Sequence, residues 1–395
     1  MDKLEPSDTS FRGASGSLGS VLRRVSESLG GPGTVEALAQ ELSPRDLRSL
    51  LLYVVGRRAM ARKATDVLMD HEELAAVRWP APSARELHAL SGDAFDAAAE
   101  FEAVDLPPMT PLGATFALSG IHPNNVVTAV RGLELLGDPT IPMALEAARR
   151  RKRSADRAES ITRLCAVHRV MRMQPTTVPG YVPHFRIFAA ASAGRDRDDG
   201  GFAREELRRH LRAQLDLLER MEARGHAFAD VAVQISDTEV VSGLLRLHGV
   251  DVEEVRREVR AHRLGGSAEF LQERGVRLPV GRGARLADAV ANLPRLFSAR
   301  VARLDEEILT PLAAAFPRVS FACDLGRLEG LGYYSGPCLR IEAADPSGAR
   351  YPLADGGALP WTARLLTDQK ERFVVSGMGL ELVSARFRPR DVKGG

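Results

Sequence analysis

From about residue 105 onward, runs that alternate apolar and polar residues and runs with an apolar residue every third or fourth position follow one another irregularly. A doubly wound parallel sheet needs a regular succession of strand and helix. This order instead predicts an α+β architecture with an antiparallel or mixed sheet flanked by helices. The clearest helix covers residues 202–223, FAREELRRHLRAQLDLLERMEA, with Leu207, Leu211, Leu215 and Leu218 on one stripe and charges elsewhere. It is followed by DVAVQIS, in which Val231, Val233 and Ile235 alternate as in a half-buried strand. A second helical run over residues 239–247 is expected to stop at Gly249, a residue suited to the left-handed C-terminal cap.

Upstream, LSPRDLRSLLLYVVGRRAM opens with Ser-Pro and carries apolar residues at helical spacing, so residues 34–105 are expected to form a helical amino-terminal unit after a flexible tail, 1–33. The segment DLPPMTPLGATFALSGIHPNN holds Pro107, Pro108, Pro111 and Pro123, and places a domain boundary near residue 105. The sheet-bearing core then occupies residues 106–249 and 287–395. Residues 250–286, broken by Gly265, Gly266, Gly275, Gly281 and Gly283, form a small helical insertion. A chain of 395 residues has ample material for a core, and 44% hydrophobic with 27% charged residues argues against disorder. No apolar run approaches the roughly 18 residues of a membrane span, and no signal peptide is expected from the polar amino terminus. Cys165, Cys323 and Cys338 are too scattered for a disulfide framework or zinc site, so a reducing cytoplasm is expected. With 54 basic and 52 acidic side chains, the bulk charge does not predict nucleic-acid binding. No His-x-x-x-His spacing, Walker loop or Gly-x-Ser-x-Gly elbow is present.

The strongest motif lies in residues 328–341, LEGLGYYSGPCLRI. It resembles the histidyl-tRNA synthetase element V-R-G-L-D-Y-Y-T-G, matching it at Gly330, Leu331, Tyr333, Tyr334 and Gly336. Gly356 and Gly357 resemble the start of that family's Gly-Gly-Arg-Tyr-Asp-Gly-Leu element, and SGMGLEL, with Gly377 and Gly379, resembles motif 3 of the class II synthetases. The three follow at the family's own spacing. Upstream, AVHRVMRMQPTTVPGYVPHFRIF resembles motif 2: Arg172 falls on the arginine that contacts the ATP α-phosphate, Gln174 on the usual glutamate, and Arg186 on the return strand. A planar guanidinium suits a bidentate phosphate contact, although an arginine on a sheet surface also pairs readily with a carboxylate. The resemblance covers about residues 141–386 and implies a class II synthetase-like antiparallel sheet, with Tyr333 and Tyr334 on a strand.

Two departures carry functional weight. Glu329 stands where the family has an arginine at the reacting phosphate, and Leu382 where motif 3 has the arginine that clamps the triphosphate. Both remove positive charge where a tetra-anionic ligand needs it. Ala358 and Leu359 replace the Arg and Tyr of the histidine-recognition element, and the chain ends soon after motif 3, where a synthetase continues into an anticodon-binding domain. The regulatory subunit of ATP phosphoribosyltransferase shares that ending. The resemblance therefore implies a histidyl-tRNA synthetase-like paralogue, expected to be a homodimer, that does not charge tRNA but binds a small amino-acid-like ligand and regulates a partner enzyme. Its catalytic residues and cofactor are unassigned, and no metal site is expected. The alternative is a ligase that activates a carboxylate with ATP and Mg, with Lys370 or Arg372 resupplying the missing charge. The expected ligand site brings together Arg172, Gln174, Arg186, Glu329, Tyr333, Tyr334, Gly356, Gly357, Gly377 and Gly379. The basic run at residues 149–153, RRRKR, is either a solvated helix end or a contact for RNA or an acidic partner.

Overall fold

The computed structural model describes residues 15–31, 33–80, 82–173, 182–196, 200–260 and 266–388. They divide into two compact units, one comprising residues up to Glu73 with Ala129–Gly132, the other Leu74–Thr128 with everything from Leu133 onward.

The first unit is helical, with helices Ser15–Ser28, Pro44–Met60 and Ala64–Glu73. The Ser-Pro start behaves as its chemistry requires: Pro44 opens the helix, and the Asp46 amide donates to the Ser43 hydroxyl at 3.1 Å, satisfying an otherwise orphaned amide. Two sequence expectations are corrected. Residues 15–28 are helical where a flexible tail was expected, and the unit ends at Glu73 rather than near 105. The reason for the second is burial: helix Ala84–Ala97 places Leu87, Leu90 and Ala94 in the interior of the sheet unit.

The second unit is built on nine strands: β1 (Glu102–Ala103), β2 (Thr162–Met171), β3 (His184–Arg195), β4 (Ala229–Asp237), β5 (Val280–Gly281), β6 (Ser320–Asp324), β7 (Pro337–Ala344), β8 (Arg350–Leu359) and β9 (Glu371–Gly379). They form one sheet in the order β1-β2-β3-β9-β8-β7-β4-β6-β5. The β1/β2 and β4/β6 pairs are parallel and the others antiparallel, as the irregular element order predicts. Helix Gly201–Ala223 lies across one face, with Leu207, Leu211, Leu215 and Leu218 all buried. Gly249 has φ 72° just past helix Thr238–Leu247, which is the left-handed cap. Residues 250–286 are not a separate piece: Val252, Val255, Leu271, Val276 and Leu286 join the same core, and β5 extends the sheet edge.

Side chains alternate between the two sheet faces, and the alternation decides what reaches the site. On β3, Phe188 and Ala190 pack toward helix Gly201–Ala223, whereas Ile187, Ala189, Ala191 and Ala193 belong to the opposite face. That second face carries helix Thr140–Arg153, tied to β9 by Arg151 and Glu371, both with 0% exposed side chains. Arg157 donates to the same carboxylate at 2.9 Å. The basic run is a solvated helix end except at Arg151, which is buried: Arg149, Lys152 and Arg153 are exposed, Arg149 pairs with Glu146, and Arg150 pairs with Glu146 and Glu102.

Beneath β9, His210 is fully buried between the Ser192 and Ser376 hydroxyls, each 3.0 Å from a ring nitrogen. Burial lowers its pKa to about 4, against opposition from Glu206 and with help from Arg163. The unfolded chain, with an ordinary histidine near 6.5, binds this proton first. The stabilisation is thus complete above pH 6.5 and is lost as pH falls through 4, by about 3 kcal/mol in all. Urea denaturation between pH 7.5 and 4 is expected to show this slope, and His210→Asn to flatten it; equal slopes in the two proteins would contradict the assignment.

Candidate functional site

A cavity of about 1130 Å³ opens on the second face of the sheet, somewhat larger than the roughly 300–1,000 Å³ typical of small-molecule sites. Its floor follows from strand register. Asp355 of β8 pairs with Gly377 of β9, Gly377 with Ala189 of β3, and Ala189 with Ala166 of β2, so the four lie in one row across the sheet. Gly377 and Ala189 give this floor almost no side-chain relief. Its walls come from the turn at residues 329–334, the segment around helix Ala114–Ser119, residues 137–140 with Arg172 and Phe185, and helix Leu380–Arg386.

The turn is the main correction to the sequence expectation. Tyr333 and Tyr334 do not lie on a strand: both amides donate to the Gly330 carbonyl, at 3.3 and 3.0 Å, and Gly332 and Gly336 take φ 82° and 101°. Strand pairing resumes only at Pro337. The two rings therefore meet each other edge to face at 4.9 Å instead of pointing to opposite faces, and Tyr333 also meets Trp361 at 6.1 Å. The Tyr334 ring stands over Gly357, where an added Cβ would come within 2.7 Å of it and of the Cys338 Cβ. At Gly356 the same atom would meet the Val375 carbonyl at 2.4 Å. These two glycines thus admit neighbouring protein atoms rather than a ligand, and neither lines the cavity.

The Tyr334 hydroxyl donates to Asp355 Oδ1 at 2.9 Å, and the Gly356 amide donates to the same oxygen at 2.7 Å. Asp355 Oδ2 accepts from Arg327 Nη2 at 2.8 Å, and Arg327 Nη1 donates to the Leu339 carbonyl at 2.9 Å. The Arg327 side chain is 4% exposed and that of Asp355 53%. Burial works to lower the Arg327 pKa, but Asp355, Cys338 and Tyr334 together outweigh it, and the guanidinium is held charged. Tyr333 is pushed well above its ordinary range, first by burial and next by Asp138, with Arg172 opposing and Asp355 adding. Its hydroxyl, protonated at neutral pH, lies within electrostatic reach of all three charged groups.

Arg172, Glu329, Tyr333, Tyr334, Gly377 and Gly379, all expected at the ligand site, line the cavity. Arg172 Nε donates to the Gly137 carbonyl at 2.8 Å, and its guanidinium stands 5.3 Å from the Phe185 ring centre and 3.9 Å from Asp138. Glu329 accepts from the Ser267 hydroxyl and has no cation partner among the described residues. Arg186 is corrected: it shares the face of Phe188 and approaches Ser91 at 3.5 Å, on the other side of the sheet. Gln174 lies outside the described residues. Arg372 does not resupply charge, since it sits at the opposite end of β9, bound to the Gln369 carbonyl at 2.6 Å and beside Asp196 at 3.3 Å. Five residues along a strand separate it from Gly377, roughly 17 Å.

Leu382 lines the cavity where the triphosphate clamp would stand, while Arg386, one turn later, lines it from the same helix. Glu381 also lines it, paired with Arg169 at 2.6 Å. Four lining carboxylates, Asp138, Glu329, Asp355 and Glu381, therefore face two lining guanidiniums, Arg172 and Arg386, among the described residues. Arg327 behind Asp355 and Arg169 beside Glu381 bring the local charge close to balance, which leaves no excess of positive charge for a triphosphate. Sequence reasoning missed Asp138, Asp355 and Arg327, although Asp355 directly precedes the Gly356-Gly357 pair. It also read as a domain boundary the segment that forms one wall. There Gly113 and Gly120, at φ 85° and 72°, bracket helix Ala114–Ser119, and the buried Glu134 accepts from the Gly113 and Thr115 amides at 2.7 Å.

No protein-family model and no curated protein matches the chain. Solved structures do. An ATP phosphoribosyltransferase regulatory subunit/histidyl-tRNA synthetase from Bacillus halodurans C is 16% identical, with 80% of this chain and 82% of that one covered and a TM-score of 0.59. Histidyl-tRNA synthetase from Nostoc sp. PCC 7120 is likewise 16% identical, covering 79% and 74%, with a TM-score of 0.59. A histidine–tRNA ligase subunit from Alicyclobacillus acidocaldarius is 17% identical, covering 78% and 95%, at 0.55. The chain thus has a class II synthetase-like fold. Among the described residues no helix is long and apolar enough to cross a membrane.

The Arg327–Asp355 pair is unequal, because one partner is buried and the other half open. Asp355→Asn leaves a buried guanidinium without a counter-charge and is expected to cost about 3–5 kcal/mol. Arg327→Met leaves a carboxylate that water can reach and is expected to cost clearly less. Chemical denaturation of the two variants checks the order; equal or reversed losses would contradict it.

Proposed function

We propose that this chain binds a small amino-acid-like ligand in the cavity and regulates a partner enzyme, without charging tRNA. The observation that carries the proposal is the replacement of the two triphosphate-binding arginines by Glu329 and Leu382 inside a cavity that nevertheless keeps Arg172. An arginine recognises a carboxylate by paired hydrogen bonds, and Glu329 attracts an ammonium group. Such a lining suits a zwitterion or an amine better than a nucleoside triphosphate, whose charge Glu329 repels. The fold likeness to a protein described as an ATP phosphoribosyltransferase regulatory subunit supports the regulatory part of this reading. The rival reading, an ATP-dependent ligase, needs a cation near Leu382; Arg372 is too far away to supply it, and a ligase would have to use Arg386, one turn along the same helix.

A ligand that binds only the folded form raises apparent stability. In a thermal-shift screen of the twenty common amino acids against ATP with magnesium, at least one amino acid is expected to raise the melting temperature and ATP to leave it unchanged. Stabilisation by ATP with magnesium and by no amino acid would overturn the proposal in favour of the ligase.

A further inference from the structure

Three hydrogen bonds fix the Asp355 carboxylate in one orientation. Tyr334 and the Gly356 amide occupy Oδ1, and Arg327 occupies Oδ2. A carboxylate offers about four lone-pair positions, so one on Oδ2 is left. If the Arg327–Asp355 pair served only to staple the turn to β8, a buried carboxylate would do this better. Instead the buried arginine is committed to a carboxylate that keeps half its side chain open and lines the cavity. Beside it lie Gly377 and Ala189, one and two strands away in the same register row, so the adjoining floor is bare. Packing demands that bareness only in part: an added Cβ at Gly377 would make a tight contact of 3.3 Å with the Ile187 side chain, which a shift of a few tenths of an ångström relieves, and Gly377 is not among the glycines with positive φ.

We propose that Asp355 is the specificity-determining residue of the cavity: it receives a protonated amine of the ligand, whose head group lies on the Gly377–Ala189 floor. Arg327 and Tyr334 are positioning residues that act only through it. Arg327 offsets part of the Asp355 charge, and Glu329, without a cation partner among the described residues, maintains the negative potential that draws an ammonium group rather than an anion. The inference rests on the ligand-binding reading above and assigns its recognition to a residue absent from the sequence resemblance.

Isothermal titration tests it with the twenty common amino acids, the amines that lack their carboxylate and the acids that lack their amine. For whichever amino acid binds wild-type protein, the matching amine is expected to bind and the matching acid to fail. Asp355→Asn is expected to weaken amine binding roughly 10- to 100-fold, the loss of one charge-assisted hydrogen bond. Because that variant strands Arg327, the double variant Arg327→Met/Asp355→Asn removes the stranded charge and is expected to fold and show the same loss. Tyr334→Phe is expected to narrow the preference for amine over acid, a ratio that a purely structural role would not move. Unchanged amine affinity in the folded double variant, or binding of acids in preference to amines, would overturn this inference and leave ligand binding standing. Wild-type protein that binds none of these probes would overturn both.

Discussion

The Tyr334 ring occupies the space that a side chain at Gly357 would fill, and the cavity is arranged around that contact. With the ring seated there, its hydroxyl reaches Asp355, and Asp355 in turn holds the buried Arg327. The same seat brings Tyr333 against Trp361, within reach of Asp138 and Arg172. Any residue larger than glycine at 357 would have to displace the ring, and overpacking of this kind typically costs about 1–3 kcal/mol. The turn, the floor and the acidic wall are therefore one construction.

A second constraint acts on the same face of the sheet. The paired Arg151 and Glu371 anchor helix Thr140–Arg153 to the start of β9, whose far end supplies Gly377 and Gly379 to the cavity. Burying an ion pair is weak support for stability, but leaving either member unpaired is costly, so the pair specifies how that helix sits on the sheet. Residues 137–140, at the beginning of the helix, face Arg172. The geometry around Arg172 thus depends on a salt bridge more than three helical turns away.

Much of the fold was legible in the sequence because it follows from periodicity. The stripe from Leu207 to Leu218, the alternation of Val231, Val233 and Ile235, and the cap at Gly249 need only local rules. Site residues that rest on sequential motifs, such as Arg172 and Glu329, were legible too. What escaped depends on three-dimensional register. Arg186 looks equivalent to its neighbours until strand parity sends it to the other face, and Asp355 gains meaning only beside Tyr334 and Arg327. Pro107, Pro108 and Pro111 signal a break in regular structure, and the sequence alone does not say whether the broken segment links domains or walls a cavity. The paired glycines show how a correct spacing supports a wrong role: their small size serves Tyr334 and β9, not a ligand.

On the proposed reading, Glu329 and Leu382 suit this class II synthetase-like site to a small amine-bearing molecule rather than to an activated nucleotide. Exchange of labelled pyrophosphate into ATP, measured with magnesium and each of the twenty common amino acids in turn, tests it most directly, because adenylate formation at this site must be reversible. The account expects exchange no greater than in a protein-free control for every amino acid. Exchange above that background with any of them would contradict it.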